Sequence, residues 1–118
     1  MSEHQQQAAL FQWAAMAEVA YPELDLMFAI PNQGKRPGLQ GKWMVDEGLK
    51  FGIPDIFLPA ARNRQHGFFI EMKDGRDKKP TPAQRHRIVQ LRIAGYKAEV
   101  YGDWEDAKEA IIQYLEGR

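Results

Sequence analysis

Charged residues buried in short apolar runs constrain this chain more than any other feature of its sequence. Pro54-Asp55 opens the run Ile56-Phe57-Leu58, and Glu71 and Lys73 sit in a second run, Gly67-Phe68-Phe69-Ile70-Glu71-Met72-Lys73. Runs this short, rich in aromatic and branched residues, read as buried strands. Strand alternation sends Phe69, Glu71 and Lys73 to one face and Phe68, Ile70 and Met72 to the other, with Glu71 and Lys73 roughly 6 to 7 Å apart. If the run from Asp55 to Leu58 pairs with the second strand, Asp55 reaches the same spot. Two adjacent carboxylates repel unless a cation neutralises them. Both are hard oxygen donors, which implies Mg²⁺ or Mn²⁺ rather than zinc. Lys73 has no lone pair to offer a metal; beside such a site its role is to orient and deprotonate an attacking water or to stabilise transition-state charge. The plainer alternatives are a turn aspartate at position 55 and a structural Glu71–Lys73 ion pair.

The rest of the pattern predicts an α/β domain with a central mixed sheet of about four strands flanked by helices. Ser2 with Gln5 forms a capping box that opens a helix to about Ala20, its inward stripe being Leu10, Trp13, Ala14 and Ala17. Pro22 ends it, and Leu24 to Ile30 reads as a strand closed by Pro31. A loop over 32–39, a short helix through Trp43, Met44 and Leu49, and the two strands above come next. Thr81, Pro82 and Gln84 begin a helix that Gly95 stops, Lys97 to Tyr101 is a strand, and Asp103 caps a last helix with stripe Trp104, Ala107, Ile111, Leu115. Met16, Met27, Met44 and the tryptophans are assigned to core stripes. At 118 residues the chain is expected to be one domain spanning 1–118.

Two side chains outside the strands are placed by angle. Glu3 precedes Leu10 by seven residues, about 20° from it around a helix, whereas Glu18 is offset by about 80°. Glu3 therefore points toward the buried side, where the plainer reading is that it complements the positive end of the helix dipole. Gln84 lies one turn before Ile88 and two before Leu91, so it faces inward, either toward the site or as half of its own capping box with Thr81.

Gly52-Ile53-Pro54-Asp55, Ile70-Glu71-Met72-Lys73 and Thr81-Pro82-Ala83-Gln84, in that order, resemble the PD-(D/E)xK nuclease superfamily and, within it, the VRR-NUC family. Ser2-Glu3-His4-Gln5 and Ile30-Pro31-Asn32 extend the likeness over nearly the whole chain. The resemblance implies a restriction-endonuclease-like core in which Glu3, Asp55, Glu71 and the Met72 carbonyl hold the metal and Lys73 and Gln84 serve catalysis. It further implies a DNA endonuclease, similar among stand-alone members to Holliday-junction resolvases of recombination and repair, acting on branched DNA as a homodimer.

Net charge is zero, which argues against a phosphate-binding protein, yet the charge is unevenly spread. The first 34 residues carry no Lys or Arg, while the segments from Lys35 to Lys42 and Arg76 to Arg92 are predominantly basic. Asn32, Lys35, Arg36, Arg76, Lys78, Lys79 and Arg85 are the candidate DNA contacts; ordinary turn and solvated charge is the alternative. No cysteine is present, which excludes disulfides, thiolate metal sites and thiol nucleophiles. His4, His66 and His86 are scattered, against a histidine-based nuclease. No long apolar stretch and no leader-like start occur, so a cytoplasmic location without membrane contact is expected. The competing class is a catalytically idle DNA-binding or assembly module that keeps the fold; a metal-binding regulator would not require the basic segments.

Overall fold

The hydrogen-bonding of four short strands sets where every other element sits. In the computed structural model, which describes residues 1–31 and 38–118, they are β1 (Phe28–Ala29), β2 (Ile56–Leu58), β3 (Phe68–Met72) and β4 (Lys97–Tyr101). They form one sheet in the order β1-β2-β3-β4, the first two pairings antiparallel and β3–β4 parallel. β2 and β3 follow each other through a short loop, β1 and β2 are separated by a stretch that includes a further helix, and the parallel pair needs a crossover, which helix α3 (Pro82–Ile93) supplies. Helices α1 (Glu3–Ala17), α2 (Gly38–Asp46) and α4 (Trp104–Leu115) complete the chain.

The alternation in β3 divides the molecule. Phe68, Ile70 and Met72, all fully buried, face the core built with Leu10 and Ala14 of α1 and Ala107, Ile111, Tyr114 and Leu115 of α4. Each large apolar side chain buried here contributes about 1.5–3 kcal/mol. The opposite face carries Phe69, Glu71 and Lys73 and meets α3, whose inward residue is Ile88. Phe57 of β2 lies directly across from Phe69, and their rings stack at 4.2 Å between centroids.

The helix starts follow the expected chemistry. Ser2 and Gln5 make a reciprocal capping box on α1, Thr81 and Gln84 make another on α3 behind Pro82, and Asp103 caps α4 through the Glu105 N–H. Gly95, at φ +100, ends α3.

Four expectations are corrected. Leu24 to Ile30 is not a strand: Pro22–Leu26 forms a 3₁₀ turn and only Phe28–Ala29 pairs with β2. Its buried residues, Leu24 and Met27, are three apart, the 3₁₀ spacing, and the Met27 N–H bonds the Leu24 carbonyl. Helix α1 stops at Ala17, where the carbonyl accepts from both the Ala20 and Tyr21 N–H groups. Leu49 falls beyond the end of α2. Met16 and Trp43 are not core residues, being 74% and 56% exposed. Met16 lies six residues past Leu10, about 240° around the helix and away from the sheet.

Candidate active site

The ladder between β2 and β3 builds the site. Ile56 pairs with Ile70, so the next position outward sets Asp55 opposite Glu71, on the face away from the main core. Like charges directly opposed on antiparallel strands are destabilising by themselves. Here the two are also held: the Asp55 Oδ2 accepts the Met72 N–H at 3.0 Å, and the Asp55 carbonyl accepts from the Ile30 N–H. Glu3, at the first turn of α1, joins them, and one carboxylate oxygen from each of Glu3, Asp55 and Glu71 lies within 4.8 Å of the others.

Glu71 is 1% exposed, and its Oε1 has no hydrogen-bond partner. Its Oε2 accepts from the Gln84 Nε2 at 3.2 Å and lies 3.8 Å from the Lys73 Nζ. A buried carboxylate oxygen without a partner is costly. Burial first, then the neighbouring Asp55 and Glu3 carboxylates, push the Glu71 carboxyl up to about 9, against a smaller downward pull from Lys73.

Those features fit a divalent cation. Oxygen ligands at about 2.1 Å from Mg²⁺ stand roughly 3 Å apart when adjacent, so small side-chain rotations close the triad around one ion. An all-oxygen donor set with a bare inward oxygen suits Mg²⁺ or Mn²⁺.

Lys73 and Gln84 are coupled. The Lys73 Nζ donates to the Gln84 Oε1 at 2.8 Å, and that oxygen also accepts the Thr81 N–H at 2.9 Å. Gln84 thus serves as capping residue and site residue together, its oxygen on the helix start and the lysine, its amide nitrogen on Glu71. The Lys73 N–H continues the β3 ladder to the Tyr101 carbonyl, which fixes the lysine's backbone.

The cations expected on DNA separate into groups. Lys78, Lys79 and Arg85 are exposed. Arg76 is bound to Asp106 through two hydrogen bonds of 2.7 and 3.0 Å, with Asp103 at 3.5 Å, so its charge is neutralised within the protein. Asn32, Lys35 and Arg36 lie outside the described residues.

Gly52 opens the motif that ends at Asp55, but no role of its own was legible in the sequence. It adopts φ +81, and a Cβ there would stand 2.6 Å from the Ala83 carbonyl oxygen and 3.0 Å from the Gln84 nitrogen. Only glycine lets the segment leading to Asp55 lie against the start of α3. Gly52→Ala is expected to lower stability by about 1–3 kcal/mol through strain and overpacking. It should also weaken Mn²⁺ binding by moving Asp55 out of line with Glu3 and Glu71; denaturant melts paired with calorimetry check both.

A pH dependence follows from Glu71. Its folded pKa is raised from 4.5 to about 9, so the native state holds a proton that the unfolded chain releases. Metal-free stability is therefore highest below pH 4.5 as far as this group is concerned, and falls as pH rises from 4.5 toward 9. Chemical melts in chelator across that range test this, and Glu71→Gln should flatten the profile.

No protein-family model matches the sequence, and no curated protein does. A solved structure of a VRR_NUC domain protein superposes on the whole of this chain and 91% of its own, with a TM-score of 0.80 and 24% sequence identity. The chain has the fold of a VRR-NUC domain. The expectation of a restriction-endonuclease-like α/β core with a mixed four-stranded sheet holds. Among the described residues no helix is long and apolar enough to cross a membrane.

Proposed function

We propose that this protein is a divalent-metal-dependent DNA endonuclease that hydrolyses phosphodiester bonds, selecting branched DNA by shape. One observation carries the reading: three carboxylates, from α1, from the residue just before β2 and from β3, converge where Glu71 keeps an unpartnered, buried oxygen, with Lys73 alongside. The nuclease-type fold supports it.

Glu3, Asp55, Glu71 and the Met72 carbonyl would hold Mg²⁺ or Mn²⁺. An ion there supplies Lewis-acid polarisation of the phosphoryl group and lowers the pKa of water. The protein's own groups do the remainder. Gln84 keeps the Lys73 ammonium beside Glu71, where it orients the attacking water and stabilises charge developing on the phosphoryl oxygens. Lys78, Lys79 and Arg85 supply exposed positive charge for the DNA backbone, with Arg76 anchoring the loop that carries the two lysines to α4. One small protomer has a limited cationic surface, and two sites related by a two-fold axis suit the symmetric cutting of a branched substrate, so the active form is read as a homodimer.

The test is incubation with Mn²⁺ or Mg²⁺ and a panel of linear, flapped and four-way DNAs. Expected is cleavage of the branched substrates, abolished by chelator, with paired nicks on the four-way junction. DNA binding without cleavage of any substrate would instead assign an idle binding or assembly module. Single nicks from a monomer would remove the dimeric version.

A further inference from the structure

Gln6 stands out from the polar run in which it lies. Glu3, His4 and Gln5 are exposed and Gln7 is half-buried, but Gln6 is 7% exposed. Both ends of its amide are used. The Nε2 donates to the Gly102 carbonyl at 3.3 Å, and the Oε1 accepts the Trp104 N–H at 2.9 Å. Trp104 is the first residue of α4, where a backbone N–H has no partner within the helix, and the Asp103 cap is taken up by Glu105 instead. Gln6 therefore completes the cap of a helix nearly a whole chain away.

The turn that it grips is the one that also registers the catalytic strand. Tyr101 accepts the Lys73 N–H, and Gly102 packs so closely on Gly75 that a Cβ would lie 1.8 Å from the Gly75 oxygen. Helix α1 and the segment following Lys73 are thus referenced to one stretch of backbone. Glu3 precedes Gln6 by three residues, about 4.5 Å along the helix and 60° around it. The next inward anchors, Leu10 and Ala14, are apolar and further down the helix. Apolar contact is non-directional and does not fix the register of the first turn; a pair of hydrogen bonds does.

We propose that Gln6 is a positioning residue: its buried amide sets the depth and rotation of the first turn of α1, and so places the Glu3 carboxylate against Asp55 and Glu71. The proposal rests on the metal-site reading above. Its test is a double-mutant cycle between Gln6→Met, which keeps length and volume without either hydrogen bond, and Glu3→Gln. Mn²⁺ affinity, read by calorimetry, should fall about 10- to 100-fold for Gln6→Met, as for loss of a group that orients a ligand. It should fall no further when Gln6→Met is added to Glu3→Gln. An undiminished effect of Gln6→Met in the Glu3→Gln background, or no effect in the native one, overturns the proposal.

The same cycle read by melting temperature in chelator needs no metal. With Gln6 present, Glu3→Gln should raise the midpoint by removing a carboxylate crowded against Asp55 and Glu71; with Met at position 6 the gain should vanish. Strictly additive midpoints overturn the positioning role. Failure of the native protein to bind Mn²⁺, with coupled midpoints, would sink the metal reading and leave Gln6's placement of Glu3 standing. If Gln6→Met does not fold, Gln6→Asn, which keeps the amide one methylene short, takes its place in both arms.

Discussion

Asp55→Asn and Glu71→Gln should each reduce Mn²⁺-dependent cleavage by about a thousandfold or more while the fold stays intact. In the proposed reaction several kcal/mol of transition-state stabilisation would depend on the ion being held, and each 1.36 kcal/mol is a factor of ten in rate. The fold survives for local reasons. Asn at position 55 keeps an oxygen for the Met72 N–H, and Gln at 71 keeps one for the Gln84 amide. Metal-free, the Glu71→Gln protein should be the more stable one at neutral pH, because it no longer has to hold a proton that the unfolded chain releases. Native affinity for Mn²⁺ should strengthen as pH rises toward 9, since the ion and that proton compete for Glu71. Calorimetric titration at two pH values, alongside gel cleavage assays, decides the matter. Unchanged Mn²⁺ affinity in both variants would remove the carboxylates from the metal site.

Asp55, Glu71 and Lys73 were legible because a strand has a strict period of two: charged residues embedded in apolar runs have one face to go to, and the β2–β3 register brings them together there. The helical angle turned Glu3 toward the sheet and its carboxylate does lie beside those of Asp55 and Glu71, but the residue stays exposed at the helix start, and its site role came from the resemblance. Gln84 could not be resolved from spacing, since Thr81-Pro82-Ala83-Gln84 is a good helix start in any protein; the structure shows one side chain meeting both demands. Leu24 to Ile30 misled because a mostly apolar heptapeptide has no clear period, and burial at Leu24 and Met27 only becomes visible once α1 covers them. The structural roles of Gly52, Gly102 and Gln6 were hidden for a different reason. Each answers to a segment distant in the chain, Ala83, Gly75 and Trp104 respectively, and no local pattern records such an approach.

Lys73→Ala should lower turnover by about 10²- to 10³-fold, the range for loss of a positioned donor that stabilises transition-state charge, with metal and DNA binding retained. The rival role is a structural partner for Glu71. Geometry weakens that rival: the ammonium stands 3.8 Å from the Glu71 Oε2, beyond hydrogen-bond reach. The lysine's close contact is with the Gln84 Oε1 instead, and that oxygen keeps the Thr81 N–H when the lysine is removed, so the start of α3 is not left unsatisfied. Because Lys73 does lower the Glu71 pKa somewhat, its loss favours the protonated carboxyl, and Mn²⁺ affinity is best compared near pH 9, where proton competition is weakest. Lys73→Met, which fills the space of the stem, separates loss of the ammonium from loss of packing. Single-turnover cleavage with saturating Mn²⁺ is the deciding measurement. Full turnover in both variants would reassign Lys73 to a structural contact, whereas inactivity with native Mn²⁺ and DNA affinity places it at the chemical step.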